Sequence, residues 1–230
     1  MSSKPESTEE RNKVKKQVKK EETKTNPTIR IDLHIHTKYS GDANINPKLI
    51  VDQLYAHPHI KGVAITDHDT LQGYEHAQKL AKAYEDILII PGIEISTEQG
   101  HITILGIEEK PIHTSTIEDV IDFTRKNAGI IIIPHPYREL GIGDKAKNIK
   151  ADAIEVLNPR STHKENKMAE ELAREENLPG VAGSDAHKPR EMWTAYTEVE
   201  NGLKVHDALN AIKRGFVKVK ATSARLQFKC

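Results

Sequence analysis

The segment Ile130-Ile131-Ile132-Ile133-Pro134-His135 joins an uninterrupted run of isoleucine to a histidine. Such a run favours a strand that is buried on both faces, as in parallel sheets that are covered by helices. Similar short apolar runs predict further strands at 31–35, 62–66, 87–95, 101–107, 153–157 and 181–182. About seven such units in one chain predict a mostly parallel α/β fold, closed into a small, irregular barrel.

The segments between these strands carry signals for the start of helices. Proline is favoured at the first helical position, and a Ser or Thr three residues before a Glu can form a reciprocal capping box. We therefore expect helices over 47–56 behind Asn46, over about 71–84, from the pair Ser115 and Glu118 to near Gly129, and from the pair Thr162 and Glu165 to about Glu176.

One connection is too short for a parallel crossover. Only six residues separate Glu94 from His101, whereas a crossover between parallel strands needs a dozen or more. We therefore expect an antiparallel hairpin at this point, which places His101 beside Glu94.

Side chains that can bind metal collect where the predicted strands end. They are His34, His36, Asp42, Asp67, His68, Glu94, His101, His135, Asp185 and His187. In barrels of this type the carboxyl ends of the strands form the functional face, and histidine with carboxylate suits Zn, Mn or Fe. A single His-x-His motif is weak evidence for a metal site. Five strand ends that all carry side chains able to bind metal predict a metal centre. The other histidines are expected to be ordinary surface residues: His57, His59, His76, His113, His163 and His206.

Composition narrows the functional class. The 230 residues include 34 Lys and Arg against 34 Asp and Glu, which excludes a generic basic nucleic-acid binder. The one cysteine, Cys230, excludes an internal disulfide and a cysteine-based zinc site, and it has no inferred role. No apolar run is long enough for a membrane helix, and we expect a cytoplasmic protein with no membrane partner.

The net charge of zero conceals a difference in charge between the N-terminal segment and the rest of the chain. Residues 1–29 hold eight basic and five acidic side chains and few apolar ones. Such a segment buries too little surface to offset the entropy of ordering, so it is predicted to be a disordered charged tail. Residues 30–222 are then expected to form one domain, followed by a short C-terminal tail at 223–230.

Five motifs occur in a fixed order along the chain. They are Asp32-Leu33-His34-Ile35-His36-Thr37, Thr66-Asp67-His68-Asp69-Thr70, Pro91-Gly92-Ile93-Glu94-Ile95-Ser96, Pro134-His135-Pro136 and Gly183-Ser184-Asp185-Ala186-His187. Together they resemble the motifs of the polymerase and histidinol phosphatase (PHP) family of metal-dependent phosphoesterases, from about residue 31 to residue 219. The resemblance implies a distorted (β/α)7 TIM-like barrel that binds two or three divalent ions of Mn, Fe or Zn.

The resemblance also implies a ligand set. The first ion would take His34, His36, Glu94 and Asp185, the second would share Glu94 and add His101 and His135, and the third would take Asp42, His68 and His187. The first loop reads Ser40-Gly41-Asp42 where many members have Ser-Asp-Gly, which makes Asp42 the least secure ligand. Asp67 is expected to orient a ligand.

Phosphate ester hydrolysis assigns roles to the remaining candidates. A water shared by two ions would be deprotonated near neutral pH and would attack phosphorus in line with the leaving oxygen. Arg138, and with less support Arg160, would bind the substrate phosphate. His68 or His187 would protonate the leaving group if the third ion is absent, and the sequence leaves the choice between them open.

Three functions follow from this reasoning. The leading hypothesis is a phosphoesterase that acts on a small phosphorylated metabolite or a nucleotide, such as a nucleoside phosphate or bisphosphate. The second is a metal-dependent nuclease or exonuclease that acts on nucleic-acid ends, with the basic tail as a phosphate tether. The third is a non-catalytic binding barrel, against which the intact ligand set argues. The sequence makes no prediction of the oligomeric state.

Overall fold

The computed structural model describes residues 27–111, 116–200, 202 and 204–222. The strands are β1 (Thr28–Ile35), β2 (Ile60–Ile65), β3 (Leu88–Thr97), β4 (Gly100–Leu105), β5 (Ile130–Ile133), β6 (Ala153–Leu157), β7 (Gly180–Ala182), β8 (Ala195–Glu200) and β9 (Val217–Ala221). The helices are α1 (Pro47–Ala56), α2 (Gln72–Ala81), α3 (Ile117–Lys126), α4 (His163–Glu175) and α5 (Val205–Lys213). None of the helices in this described part has both the length and the hydropathy needed to cross a bilayer.

The described strands form one sheet in the order β7-β6-β5-β4-β3-β2-β1-β8-β9. Strand β4 runs antiparallel to both β3 and β5, and β8 runs antiparallel to both β1 and β9. The other neighbouring strands pair in parallel. The predicted α/β class and the nearly closed, barrel-like shape are confirmed, and the predicted hairpin is the β3–β4 pair. The expectation of a mostly parallel sheet is wrong, because four of the eight described strand pairs are antiparallel.

The chain after β7 closes the sheet against β1. The amide of Asp185 donates to the carbonyl of His34 at 2.7 Å, and the amide of His36 donates to the carbonyl of Ala186 at 3.0 Å. Gly183 permits this approach, because a Cβ at that position would lie 2.4 Å from the Cβ of His34. The closure therefore brings the first and last of the five motifs together.

Burial explains why the apolar runs form strands. All four residues of β5 are buried, and β1 and β3 bury most of their isoleucines in the same way. Helix α1 begins as predicted, with the Asn46 side chain accepting from the Lys48 amide, and α4 begins with the predicted capping box of Thr162 and Glu165. The core thus holds the carboxyl ends of the strands in fixed positions.

Some boundaries differ from the sequence prediction. The capping residue of α3 is Thr116, which accepts from the Asp119 amide, and Ser115 lies outside the described residues. Strand β1 begins at Thr28, so the last residues of the predicted tail belong to the sheet. Residues 1–26 of the predicted tail at 1–29 lie outside the described residues, as does the whole predicted tail at 223–230, which includes Cys230.

Elements after residue 187 were not predicted. Strands β8 and β9 alternate buried or half-buried residues with more exposed ones, because β8 has one polar face and β9 lies at the edge of the sheet. Helix α5 lies between β8 and β9 in the chain, and it packs buried alanine and leucine side chains against the sheet. A search for continuous apolar runs therefore passes over this part of the fold.

Candidate metal centre

Six of the candidate ligands form one buried group, five of them at the carboxyl ends of strands and His101 at the start of β4. We call this group the inner cluster: His34, His36, Glu94, His101, His135 and Asp185. Three further candidates lie beside it and form what we call the outer cluster: Asp42, His68 and His187.

Glu94 lies at the middle of the inner cluster, and its two oxygens face different partners. Oε2 lies 3.1 Å from His34 Nε2 and 3.2 Å from His36 Nε2. Oε1 lies 2.8 Å from His101 Nδ1 and 3.0 Å from His135 Nε2. The carboxylate therefore joins two sets of imidazoles, as a ligand shared by two ions would.

Asp185 completes the first set. Its Oδ1 lies 3.3 Å from His36 Nε2 and 3.6 Å from His34 Nε2. The two imidazole nitrogens are themselves 3.1 Å apart. Four potential donor atoms, from these three residues and Glu94, thus converge on one small volume.

The hairpin accounts for the place of His101. His101 pairs in register with Ser96, and Glu94 pairs with Thr103, so His101 and Glu94 lie two positions apart on one face of the hairpin. The contact between them was expected from the length of the connection alone. His135 reaches the same oxygen of Glu94 from the end of β5.

The outer cluster is looser and more exposed. Asp42 Oδ2 lies 2.9 Å from His187 Nε2 and 3.5 Å from His68 Nε2. The Asp42 side chain is 49% exposed, and it belongs to the loop between β1 and α1. His68 also lies 3.7 Å from Glu94, which links the two clusters.

The carboxylates of the inner cluster favour the protonated, positively charged form of the histidines beside them. Burial lowers the pKa of His34, but Asp185, Glu155 and Glu94 outweigh it and hold that pKa well above its usual value. Burial opposes the charged form of His36 as well, yet hydrogen bonds to Asp185 and Glu94 raise its pKa to about 9. Despite burial, the pKa values of Glu94 and Asp185 lie well below their usual range because of the neighbouring histidines.

The outer histidines behave in the opposite way. Burial, assisted by His36, lowers the pKa of His68 to about 4 against the opposing effect of Glu94. Burial and His36 also lower the pKa of His187. These imidazoles are therefore neutral near pH 7, which is the form that binds metal.

Two supporting residues were missed by the sequence analysis. Glu155, in β6, places Oε1 3.0 Å from His34 Nδ1. Its Oε2 accepts a hydrogen bond from the His135 amide at 2.9 Å. Asn158 donates its amide group to Glu155 at 2.9 Å and to Asp185 at 3.0 Å. The one available signal was a charged residue within the apolar run 153–157.

The side chain of Asp67, which was expected to orient a ligand, forms its hydrogen bonds with Thr37. Its two oxygens accept from the Thr37 amide at 2.5 Å and from the Thr37 hydroxyl at 2.7 Å. Ser40, in the same loop, lies 3.1 Å from His36 Nδ1 and accepts from the His68 amide at 3.0 Å. The Asp67 side chain therefore positions the loop that follows β1, and the Asp67 carbonyl also accepts from the Glu94 amide at 3.2 Å.

The two candidate phosphate-binding arginines both reach the centre. Arg138 donates to Asp185 Oδ2 at 2.5 Å and is 21% exposed. Arg160 contacts His187 Nδ1 and also approaches the carbonyl of Asp185 at 3.5 Å. Both guanidinium groups therefore contact residues of the two clusters.

Three of the seven non-glycine residues with a positive φ in the described part of the chain lie at or beside the clusters. His135 has a φ of 25°, Asp69 has 53° and Asp185 has 51°, all in the region that L-residues rarely adopt. Such conformations cost about 1–3 kcal/mol each and persist where the surrounding structure fixes them. Here they turn the chain at the ends of β5, β2 and β7.

The donor set fits divalent ions. Atoms bound to one Zn²⁺ at about 2.0–2.2 Å lie roughly 3.0–3.6 Å apart, and the separations around Glu94 Oε2 fall in this range. Among the described residues, the buried side-chain atoms without a hydrogen-bond partner include His68 Nδ1, His135 Nδ1 and Asp185 Oδ1. Buried polar atoms are rarely left unsatisfied. His68 Nδ1 and Asp185 Oδ1 face the clusters and fit a site that is completed by cations, whereas His135 directs Nε2 rather than Nδ1 at Glu94.

The remaining histidines lie outside the two clusters. His59, His163 and His206 are exposed, as predicted, and His113 lies outside the described residues. His57 and His76 are half-buried instead. His57 Nδ1 accepts from the Ile60 amide at 2.9 Å, and His76 Nδ1 lies 3.1 Å from the Tyr39 hydroxyl.

Comparisons with known proteins agree with this geometry. Residues 32–142 match the PHP domain, and residues 163–217 match the domain described as PHP-associated. An uncharacterized protein of Methanocaldococcus jannaschii is 33% identical over 142 residues, which cover 56% of this chain and 82% of that protein. A 5'-3' exoribonuclease of Haemophilus influenzae is 36% identical over 88 residues, only 37% of this chain and 31% of the enzyme.

A solved structure shows the same fold. It is a two-domain protein from Bacteroides vulgatus, described as containing a predicted PHP-like metal-dependent phosphoesterase. It superposes with a TM-score of 0.73 at 18% identity, over 86% of this chain and 66% of that one. With the motifs, the clusters and the domain matches in agreement, the chain belongs to the PHP family of metal-dependent phosphoesterases.

Proposed function

We propose that this protein hydrolyses a phosphate ester of a small metabolite or a nucleotide, with two or three ions of Mn, Fe or Zn. The observation that carries the proposal is the position of the Glu94 carboxylate between two pairs of histidines. One oxygen faces His34 and His36, and the other faces His101 and His135. Paired ions that share a carboxylate are typical of enzymes that cleave phosphate esters.

Bound divalent ions would lower the pKa of water and neutralise the phosphate oxygens. The inner cluster would hold two of them, with Glu155 and Asn158 fixing the orientation of His34 and Asp185. Arg138 and Arg160 would bind phosphate oxygens, since both guanidinium groups already lie beside Asp185 or His187. These residues favour the transition state because they direct positive charge to one point before the substrate arrives.

The outer cluster has two candidate roles. With an ion bound, Asp42, His68 and His187 would hold it. Without one, His187 or His68 would be the candidate to protonate the leaving oxygen, but their lowered pKa values leave both neutral near pH 7 and favour the metal-binding role. Both side chains direct Nε2 at Asp42, and His187 lies closer.

The test uses the full-length protein, its metal content and a panel of substrates. With added Mn, we expect hydrolysis of nucleoside phosphates and bisphosphates, and roughly a 100-fold or greater loss in Asp185→Asn. Asp122→Asn, an exposed residue of α3, is the matched control. Activity that survives Asp185→Asn at the wild-type level would show that the site is misassigned, and protein that binds no metal would favour the non-catalytic barrel.

A second candidate function is cleavage at nucleic-acid ends. It is favoured by the partial similarity to the exoribonuclease of Haemophilus influenzae, and the basic segment at 1–29 would then act as a tether. Oligonucleotides with a 5' phosphate belong in the same panel. Turnover of these that exceeds turnover of mononucleotides, and that falls when residues 1–26 are removed, would make this the principal activity. The cytoplasmic location stays a prediction of the sequence.

A further inference from the structure

The side chain of Asn158, a buried residue just after β6, joins the metal centre to the two candidate phosphate-binding arginines. Its Nδ2 donates to Glu155 Oε2 at 2.9 Å and to Asp185 Oδ2 at 3.0 Å. Its Oδ1 accepts from the Arg160 amide at 2.9 Å and from the Arg138 guanidinium at 3.4 Å. Because the carboxylates accept and the N–H groups donate, these four partners fix the orientation of the Asn158 amide.

This amide determines which oxygen of Asp185 faces the inner cluster. Oδ2 of Asp185 is bound by both Asn158 and Arg138. Oδ1 has no hydrogen-bond partner in the described part of the chain, and it lies 3.3 Å from His36 Nε2. Asn158 therefore keeps one oxygen of Asp185 occupied and leaves the other oxygen for an ion.

The position of Asn158 depends in turn on Asn166, a half-buried residue near the start of helix α4. Asn166 Oδ1 accepts from the Asn158 amide at 3.1 Å, and Asn166 Nδ2 donates to the Asn158 carbonyl at 3.0 Å. One side chain thus holds both backbone groups of Asn158. This contact fixes the chain at the point where β6 has ended and the sheet no longer holds it.

Helix α4 does not itself need an asparagine at this position. The helix is capped by Thr162, which forms a capping box with Glu165. Asparagine is also less favourable than alanine inside a helix. The contact with Asn158 therefore accounts for the side chain of Asn166, and replacing Asn166 by alanine removes that contact without weakening the helix.

We propose that Asn166 is a positioning residue of the metal centre, which acts on Asp185 through Asn158. The inference rests on the proposed function, because it takes Asp185 as a metal ligand. Without Asn166, the Asn158 amide is free to turn away, and Asp185 Oδ2 loses the partner that keeps it from the ion. Helix α4 holds none of the candidate ligands, yet through this contact it contributes to metal affinity.

The first test measures metal affinity and does not depend on turnover. The full-length, Mn²⁺-loaded protein is titrated with a chelator, and melting curves check the fold. In Asn166→Ala we expect the affinity for the most tightly held Mn²⁺ to fall about tenfold, as for other residues that orient a ligand. Asn166→Asp keeps an acceptor for the Asn158 amide and should lose less.

Asn210→Ala is the matched control for this test. Asn210 is exposed on helix α5, and its side chain contacts only His206, four residues earlier, among the hydrogen bonds of the described residues. We expect wild-type affinity in this variant. An unchanged affinity in Asn166→Ala would overturn the inference.

The second test asks whether Asn166 acts through Asn158. If it does, the double variant of Asn158→Ala and Asn166→Ala should bind Mn²⁺ no more weakly than Asn158→Ala alone, because contacting residues are not additive. Losses that add would overturn the inference. If Asn166→Ala fails to fold, Asn166→Asp serves in the same comparison. Wild-type protein that holds Mn²⁺ but hydrolyses no ester would instead overturn the proposed function and leave this inference standing.

Discussion

The inner and outer clusters lie side by side, yet they treat the same residue type in opposite ways. In the inner cluster, Glu94 and Asp185 are each 1% exposed and raise the pKa values of His34 and His36. In the outer cluster, one half-exposed carboxylate, Asp42, faces two histidines whose pKa values are lowered. The difference lies in the number and burial of carboxylates, since burial by itself disfavours the imidazolium form.

This difference predicts which of the two clusters binds cations more strongly. Buried carboxylates that hold protons on histidines will also hold divalent ions, because each ion replaces protons in the same electrostatic field. The inner ligands come from the ends of packed strands, whereas Asp42 comes from an exposed loop. We therefore expect the inner cluster to bind more tightly and the outer one to exchange more readily.

Removing the shared carboxylate should have the largest effect. In Glu94→Gln both sets of imidazoles lose their common charge, so we expect loss of the tightly bound metal and roughly a 100-fold or greater loss of hydrolysis. Elemental analysis and the kcat of the purified variant provide the measurement. Glu170→Gln, exposed on α4, is the control, and full metal content in Glu94→Gln would contradict the central role of Glu94.

Asp42→Asn should separate the clusters. Because Asp42 is half-exposed and lies in a loop, we expect wild-type thermal stability and retention of the inner ions, with loss confined to the weakly held metal. Metal content measured during titration with a chelator gives the comparison with Glu94→Gln. If the two variants lose metal in parallel, the clusters act as one site.

The sequence named the members of both clusters, but its local patterns support the inner cluster more directly than the outer one. Strand ends can be read from apolar runs, and the six-residue connection places His101 beside Glu94 with no further information. The place of Asp42 depends on the path of a loop in which Gly41 adopts a φ of 86°. No periodicity in the sequence specifies such a path.

Long-range partners were also beyond the sequence argument. Glu155 lies 121 residues from His34, and only the closed sheet brings them together. Asp67 was expected to orient a ligand, but the sequence did not indicate that its side chain binds Thr37, in the loop after β1. The identities of the ligands followed from motifs, whereas the residues that support them depend on tertiary contacts.

Glu155→Gln should have an intermediate effect. Gln can still accept from the His135 amide, but it no longer presents a carboxylate to His34 Nδ1. Loss of such a partner reduces metal affinity by about 10–100-fold, so we expect weaker metal binding with the fold preserved. Isothermal titration with Mn²⁺ measures it. Unchanged affinity would show that Glu155 serves only the backbone of His135.

The smallest expected effect comes from a substitution at His57. This residue shows how burial shifts the pKa of a histidine when no carboxylate opposes it. Burial, with His59 and Lys61 nearby, lowers its pKa, as happens in the outer cluster. The unfolded chain then takes up a proton near pH 6.5 while the folded protein does not, so the stability from neutral His57 is present above that pH and is lost below it. His57→Asn keeps an acceptor for the Ile60 amide but removes the titration. In urea unfolding at about pH 7.5 and about pH 5.5, the wild type should lose more stability than the variant. An equal loss would show that the neutral form of His57 contributes nothing, and that the pH dependence comes from the carboxylates and histidines of the metal centre.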